Sequence, residues 1–168
     1  MLSLRSTDFV VDLIENARLA ELDDFDVLEK LAVKSVSEMI EKRGGKTLDL
    51  LNPHRENLRE MFSTYFESEN SKIVVGTIDE VVVGFGIVEI HKLQDGTPHA
   101  SVRSLYVEEE ARSVGVGESI MNALLKCATE RKAVAIDAVA LPGDRQTKNF
   151  FETHGLVARA ITVQRILT

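Results

Sequence analysis

The chain has 168 residues, of which 44% are hydrophobic and 28% are charged, and its formal net charge is −7. This length suits one domain with a substantial core, and the composition is that of an ordinary globular protein. Because negative charge repels a phosphate backbone, we expect no nucleic-acid partner, and a cationic partner such as an amine is mildly favoured.

The start of the chain and its cysteine content bear on location. Charged side chains such as Arg5, Asp8 and Arg18 interrupt the first twenty residues, which argues against a secretory signal. No later stretch approaches the length that spans a membrane. Cys127 is the only cysteine, so we expect neither disulfides nor a cysteine-based metal site. A cytoplasmic protein without a membrane partner is therefore predicted.

Helical spacing dominates the first third of the chain. Thr7 or Asp8 is expected to cap a short helix through Ala17, and a brief strand follows over 17–22. Asp23 and Asp24 then suit the start of a helix of about five turns, which ends at Gly44-Gly45. A second amphipathic helix starts at Asn52-Pro53 and carries these apolar side chains at helical spacing: Leu58, Met61, Phe62, Tyr65 and Phe66.

The rest of the chain alternates between strands and helices. β-Branched runs over 72–78, 81–91 and 99–107 predict an antiparallel meander. A helix after Gly117, a strand over 133–141, a helix over 145–154 and a closing strand over 159–167 follow. We predict one domain over 1–168 of the α/β (α+β) class, with a mixed, mostly antiparallel sheet of about six to seven strands flanked by helices. Its parallel strands, 101–107 and 133–141, splay apart and admit a ligand between them.

The segment 104–125 predicts an anion-binding site. It joins an apolar strand, the motif Arg112-x-x-Gly115-x-Gly117 and an amphipathic helix. The first N–H groups of a helix lack internal partners, and the helix dipole favours an anion beside them. The glycines remove the Cβ atoms that would hold a ligand away, and they allow successive N–H groups to turn inward. Arg112 adds positive charge, so the sequence predicts a pyrophosphate clamp.

Two other phosphate-binding motifs do not fit this segment. A dinucleotide fingerprint needs a third glycine where Ile120 stands, and a P-loop needs Gly-Lys-Ser/Thr where Gly117-Glu118-Ser119 stands. An ordinary turn between a strand and a helix, with glycines as turn formers, stays open on this segment alone.

Two motifs make the chain resemble the GNAT superfamily of acyl-CoA-dependent N-acetyltransferases. The first is the strand end Leu105-Tyr106-Val107, followed five residues later by the Arg112 loop. The second is Asp144-Arg-Gln-Thr147-Lys-Asn-Phe150-Phe151-Glu-Thr-His-Gly155-Leu156, which is similar to the family pattern Asn-x-x-Ala-x-x-Phe-Tyr-x-x-x-Gly-Phe. The resemblance spans residues 17–167. It implies acetyl-CoA as co-substrate and direct attack by a primary amine of a small molecule or peptide. No spacing of His, Asp or Glu suggests a metal, so none is expected, and a homodimer is possible.

The resemblance also assigns roles to individual residues. Backbone N–H groups over 112–118 would hold the CoA pyrophosphate, and the strand end would pair with the pantetheine arm. The amide N–H of Leu105 would stabilise the oxyanion of the tetrahedral intermediate. The second motif would pack along pantetheine. The cofactor residues implied are Leu105, Tyr106, Val107, Arg112, Ser113, Val114, Gly115, Val116, Gly117, Glu118, Asp144, Thr147, Phe150 and Phe151.

The chain departs from the family at the catalytic positions. Phe151 stands where a Tyr commonly serves as acid, and Ser101 stands where some members place a catalytic Glu. The thiol of CoA has a pKa of roughly 8.5, so it can leave as thiolate without a dedicated acid. Four smaller departures are Val114 for Lys, Glu118 for a small residue, Thr147 for Ala and Leu156 for Phe.

Replacement bases must come from elsewhere in the chain. Glu89, His91, His99 and His154 are candidates, although each also suits a strand surface, a hairpin end or a helix end. The acceptor site is expected near 44–56 and 157–162, and the first of these stretches contains Asp49, His54 and Arg55. Two rival functions remain: a noncatalytic acyl-CoA sensor, and an interaction subunit whose glycine loop is only structural.

Overall fold

A computed structural model describes residues 15–167 of the chain. Short 3-10 turns precede the first helix, at Leu22–Asp24, and follow the fourth strand, at Glu109–Ala111. The strands and helices in chain order are β1 (Glu15–Leu19), α1 (Phe25–Ile40), α2 (Gly45–Leu50), α3 (Leu58–Glu67), β2 (Ser71–Ile78), β3 (Val81–Lys92), β4 (Pro98–Val107), α4 (Val116–Glu130), β5 (Ile136–Asp137) and α5 (Arg145–Thr153).

The five strands form one sheet in the order β1-β2-β3-β4-β5. The first four are antiparallel neighbours, and β5 joins the edge of β4 in parallel. The register between β3 and β4 passes from Val88 opposite Val102 to Ile87 opposite Ser104, so β4 carries one extra residue, a β-bulge at Arg103. The mixed α/β architecture confirms the predicted fold class.

Helices cover both faces of the sheet. One apolar cluster joins α1 and α3 to the sheet through Leu28, Phe62 and Phe85, and α4 packs on the other face through Ile120 and Leu124. Glycines in β2 and β3 let α4 approach closely. A Cβ at Gly86 would lie 2.7 Å from Cγ2 of Ile120. Close packing therefore fixes α4, whose amino end follows the loop after β4.

Two predicted strands differ from the structure. Only Ile136–Asp137 of the predicted strand over 133–141 forms a strand, although Val134 and Ala135 also make backbone hydrogen bonds to β4, and 157–167 contains no strand. The sheet of the described residues thus has five strands instead of six to seven. Residues 157–167 alternate like a strand but make no backbone hydrogen bond to the described part of the chain. Their apolar side chains are exposed, at 87% for Ile161 and 88% for Val163.

The start of the chain also needs correction. Residues 7–14 of the helix predicted from Thr7 or Asp8 lie outside the described part of the chain. Its expected end at Ala17 is part of β1, so the strand begins before residue 17. Asp24 precedes α1, but its carboxylate does not cap that helix. It accepts two hydrogen bonds from Arg18, at 2.7 and 2.9 Å, and one from the N–H of Glu21 at 2.8 Å.

The connection from α1 to α3 contains a helix that the periodicity did not predict. Gly44 adopts a φ of +82° and ends the helical path, as expected, but α2 starts immediately after it. The second long helix begins later than Asn52-Pro53, because Asn57 caps it by accepting a hydrogen bond from the N–H of Glu60 at 2.9 Å. Across the described residues, none of the helices is long and apolar enough to cross a membrane.

Candidate functional site

The junction between β4 and β5 is where a ligand can enter the sheet. Ala100 pairs with Ile136 and Ser101 with Asp137, and the parallel ladder ends there. The edge of β4 beyond Ser101 is therefore free of strand pairing among the described residues. The N–H of Glu108 bonds to the carbonyl of Val83 at 2.9 Å. Antiparallel pairing alternates, so the N–H of Leu105 points away from β3, towards this free edge.

The amino end of α4 has the conformation that exposes backbone N–H groups. Gly115 stands at the N-cap with a φ of +93°, and Ser113 has a φ of +65°. Glycine offers no side-chain acceptor, and no other described side chain caps the helix. The N–H groups of Val116, Gly117 and Glu118 are thus without helical partners. This end of α4 can accept an anion such as a pyrophosphate.

The guanidinium of Arg112 is held by three neighbours. Its Nη2 donates to both carboxylate oxygens of Glu38 at 2.8 and 2.7 Å, and its Nε donates to the carbonyl of Val107 at 2.9 Å. It also lies 5.5 Å from the ring centre of Tyr106, whose hydroxyl donates to Glu38 at 2.8 Å. Burial acts to raise the pKa of Glu38, but Arg112 and Tyr106 outweigh it, and the pKa is lowered. Burial, with Glu38 beside it, raises the pKa of Tyr106 to about 12.

Asp144 starts α5 and links it to α1. Its carboxylate accepts hydrogen bonds from the N–H and hydroxyl of Thr147 at 3.1 and 2.8 Å, and from Nζ of Lys42 at 2.6 Å. Burial acts to raise the pKa of Asp144, but these donors outweigh it and hold the pKa below its ordinary value. Asp144 therefore serves as a helix cap as well as lying at the position that the resemblance implies.

The two phenylalanines of α5 differ in their surroundings. Phe150 packs against the glycine loop, since a Cβ at Gly117 would lie 3.4 Å from its ring. Phe151 is 7% exposed and belongs to the apolar cluster of α4, which also contains Val102 and Val107. The position of the usual tyrosine is thus occupied by a core side chain, with Leu156 packed against the same cluster.

A row of polar side chains crosses three strands at the junction. Glu89 lies opposite Ser101, and Ser101 lies opposite Asp137. Directly opposed residues project to the same face of a sheet, so two carboxylates flank Ser101. Arg103 at the bulge lies 3.5 Å from Glu89, and Arg159 pairs with Asp137. The hydrogen bonds from Arg159 lower the pKa of Asp137, which stays ionised.

The histidine candidates lie apart from Leu105. His99 precedes it by six residues, about 20 Å along a strand, and its Nε2 lies 3.2 Å from Asp137. Its Nδ1 is buried without a hydrogen-bond partner in the described structure. The ring of His91 stacks on His99 with centroids 4.9 Å apart, and His154 ends α5 with its Nδ1 2.8 Å from the carbonyl of Phe150. Of the predicted bases, Glu89 lies directly in the polar row, whereas His99 reaches it only through Asp137.

The expected acceptor residues surround this row only in part. Asp49 is 7% exposed and bound to Arg55 at 2.8 Å, so its carboxylate is already engaged. His54 makes an edge contact with the ring of Tyr65, and the hydroxyl of Tyr65 lies 3.4 Å from Nε of Arg103. Over residues 16–167, no cluster of three or more His, Cys, Asp or Glu side chains is arranged to hold a metal ion.

Sequence reasoning missed three residues that complete the site. Glu38 on α1 binds Arg112, and Lys42 just after α1 binds Asp144, which no local pattern predicts. Asp137 did carry a signal, because it interrupts an apolar run over 133–141. A charged residue inside an otherwise apolar strand calls for a partner or a function.

Comparisons with known proteins give one family match and many similar folds. Residues 43–156 match the model of the acetyltransferase (GNAT) family. A variant of the BH1408 protein from Bacillus halodurans is 16% identical with a TM-score of 0.77, over 90% of this chain and 99% of that one. A predicted acetyltransferase solved with acetyl-CoA from Clostridium acetobutylicum is 13% identical with a TM-score of 0.69, over 91% and 96%.

A third similar structure is the ribosomal-protein-alanine N-acetyltransferase from Brucella melitensis biovar Abortus 2308, at 16% identity and a TM-score of 0.63, over 92% of this chain and 99% of that one. At these identities the structures establish the shared fold alone. No curated protein matches the chain significantly. The family model covers more than half of the chain, and its range contains the glycine loop, the polar row and the Asp144 motif. The chain therefore belongs to the acetyltransferase (GNAT) family.

Proposed function

We propose that this protein is an N-acetyltransferase that moves the acetyl group of acetyl-CoA to a primary amine of a small molecule or peptide. The observation that carries the proposal is the junction of β4 and β5. Pairing ends at Ser101, and the N–H of Leu105 faces the free edge beyond it. A similar fold has been solved with acetyl-CoA, which supports the same co-substrate here.

The cofactor would be held at both ends. The uncapped N–H groups of 116–118 would bind the pyrophosphate. The free edge of β4 at 105–107 would pair with the pantetheine arm as an added strand does. Asp144, Thr147, Phe150 and Phe151 would support that arm from α5, the first two through the helix cap and the phenylalanines through packing.

The chemistry we propose is direct attack. The neutral amine adds to the thioester carbonyl, and the N–H of Leu105 donates to the oxyanion that forms, a contact worth several kcal/mol in such sites. Glu89 accepts the proton that the attacking nitrogen loses, and collapse of the intermediate expels the CoA thiolate. We assign the base to Glu89 because two hydrogen bonds from Arg159 occupy the Asp137 carboxylate. Arg103, by contrast, lies 3.5 Å from Glu89 and donates no hydrogen bond to it. Carboxylates on either side of Ser101 also suit a cationic amine.

A second function is favoured by the side chains at 101 and 151. Phe151 is buried in the core and Ser101 has no acidic group, so two residues that commonly move protons in the family are missing. A noncatalytic acyl-CoA sensor would need only the cofactor site.

Two measurements separate these functions. Isothermal titration with acetyl-CoA should show binding, and its absence at millimolar ligand would refute both. Thiol release is then followed with polyamines, aminoglycosides, amino acids and peptide amino termini as acceptors. Turnover above the uncatalysed rate on any acceptor removes the sensor, and its absence across the panel removes the enzyme.

We also propose a cytoplasmic homodimer. The single cysteine, which has no disulfide partner, suits a reducing compartment. Residues 157–167 carry exposed apolar side chains, two arginines and no acidic residue. Arg159 is already paired with Asp137, but Arg165 makes no ion pair with the described residues. This segment suits a second copy of an acidic chain, which would cover the apolar side chains and attract Arg165.

A further inference from the structure

A cleft of about 470 Å³ lies between the carboxyl end of α1 and the amino end of α5. Its walls come from two turns that are distant in sequence. Lys42 and Arg43 follow α1, and the loop from Gly143 to Gln146 leads into α5. The ion pair between Lys42 and Asp144 joins the two walls at 2.6 Å. This ion pair fixes the two walls relative to each other, and the cleft between them is open to solvent.

The cleft is positively charged in an acidic protein. Lys42, Arg43 and Arg145 are cationic and Asp144 is anionic, which gives the lining a net charge of +2 in a chain of −7. The Asp144 carboxylate is already bound by Lys42 and Thr147. Arg43 and Arg145 are exposed, and neither makes an ion pair or a side-chain hydrogen bond with the described residues. Two guanidinium groups are thus available to an anion.

The cleft is close to the expected cofactor loop. Lys42 lies four residues after Glu38, just beyond the end of α1, and its charge helps to lower the pKa of Glu38. Glu38 in turn holds Arg112 of the glycine loop. Because Glu38 neutralises Arg112, the loop offers a pyrophosphate less positive charge than its sequence indicates. Arg43 and Arg145, which line the cleft, are cationic side chains that no described acidic group neutralises.

We propose that this cleft binds a phosphate-type anion through Arg43 and Arg145. Guanidinium groups suit this chemistry because their planar forks donate paired hydrogen bonds to phosphate oxygens. Two sources deliver such an anion to this place. One is the ribose 3′-phosphate of CoA, one sugar away from the pyrophosphate, and this source rests on the function proposed above. The other is an anionic group on the acceptor.

Inorganic phosphate tests the site itself. It is titrated at constant ionic strength into the full chain, and amide shifts are followed in ¹H–¹⁵N spectra at Gly143 and Gln146. We expect saturable shifts there in the native protein, and a Kd that rises at least about fivefold in the double variant Arg43→Gln/Arg145→Gln. Lys126→Gln removes the same kind of charge from the exposed face of α4 and should leave this Kd unchanged.

The same spectra distinguish this inference from the proposed function. Shifts at Gly115 and Gly117 report the glycine loop, whereas those at Gly143 and Gln146 report the cleft. Absence of saturable shifts at the cleft, or an equal Kd in the double variant with a native unfolding midpoint, would overturn the inference. Failure of acetyl-CoA to perturb Gly115 and Gly117 would count against the proposed function instead.

CoA and dephospho-CoA then identify the source. If the 3′-phosphate occupies the cleft, CoA displaces inorganic phosphate from it and dephospho-CoA does not. The affinity ratio of the two cofactors should also fall towards one in the double variant. If phosphate binds but neither cofactor displaces it, the anion belongs to the acceptor, and acceptors with a phosphate or carboxylate should show a raised KM in the double variant.

Discussion

Arg112 is part of the motif that indicates CoA, yet in the structure its side chain is occupied by Glu38 and Val107. The guanidinium therefore fixes the turn after β4 and offsets a carboxylate beside the glycine loop. Without it, the partly buried carboxylate of Glu38 would keep only the hydroxyl of Tyr106 as a hydrogen-bond donor, and its negative charge would lie close to the expected pyrophosphate. The residue thus favours cofactor binding through its neighbours as well as through its own charge.

Replacement of Arg112 by alanine should weaken CoA binding by about 1.5–3 kcal/mol, the scale of a lost charge-assisted contact. Isothermal titration measures this loss. Arg131→Ala is the matched control, because that side chain bonds to the carbonyl of Glu69 beyond the far end of α4. Glu38→Gln should act in the opposite direction and tighten binding, since it removes the offsetting negative charge. Equal affinities in the native protein and in the three variants would show that Arg112 has no part in holding CoA.

Glu89 is the residue on which the proposed proton transfer depends. Glu89→Gln keeps the shape of the side chain but cannot accept a proton, so kcat for an accepted amine should fall by about 10²–10⁴-fold. The affinity for acetyl-CoA should be unchanged, because Glu89 lies on β3, and β4 separates it from the free edge where the pantetheine arm is expected. Steady-state thiol release provides kcat, and isothermal titration provides the affinity for acetyl-CoA. Glu56→Gln is the control, because the Glu56 side chain is 85% exposed. A kcat within a factor of two of the native value would assign the base to another group.

At the scale of elements, local sequence patterns predicted where helices lie but not how strands pair. The periodicity of Leu58 to Phe66 and the glycines around Arg112 identify α3 and the start of α4 correctly. Strand pairing depends on a partner that periodicity does not reveal. Residues 159–167 alternate between apolar and polar side chains, but they make no backbone hydrogen bond to a strand of the described chain. The row of Glu89, Ser101 and Asp137 likewise arises from register, since its members are distant in sequence.

The cap of α5 gives a prediction with a defined pH dependence. Asp144→Ala removes the acceptor for the N–H of Thr147 and should lower the free energy of unfolding by about 1–2 kcal/mol at pH 7. The pKa of Asp144 is lowered in the folded protein, so this stabilisation is complete above the unfolded value of about 3.9 and is lost as the pH falls through the folded one.

Urea unfolding between pH 7 and pH 3 measures the effect. The difference between the native protein and Asp144→Ala should stay constant down to about pH 5 and shrink below about pH 4. Asp144→Asn is the control, because an asparagine also caps a helix but carries no charge to titrate. A difference that is independent of pH would mean that the carboxylate charge contributes nothing to the cap.

At the scale of the whole molecule, apolar side chains divide into a dense core and an exposed segment. Phe62 is fully buried against Phe25 and Phe85, whereas Ile161 and Val163 are 87% and 88% exposed. In dilute protein, Ile161→Ser/Val163→Ser should therefore change the free energy of unfolding by less than about 0.5 kcal/mol. Phe62→Ala should lower it by about 3–5 kcal/mol.

The proposed homodimer makes the same double variant informative at higher concentration. If a second copy covers 157–167, dimer formation stabilises the folded state by mass action, and the Tm of the native chain rises with protein concentration. The serine variant removes apolar area from that interface, so its Tm should stay flat over the same range while matching the native value in dilute solution. Light scattering on both proteins checks the mass directly. A native Tm independent of concentration, with a monomeric mass throughout, would exclude the homodimer and leave the segment exposed in solution.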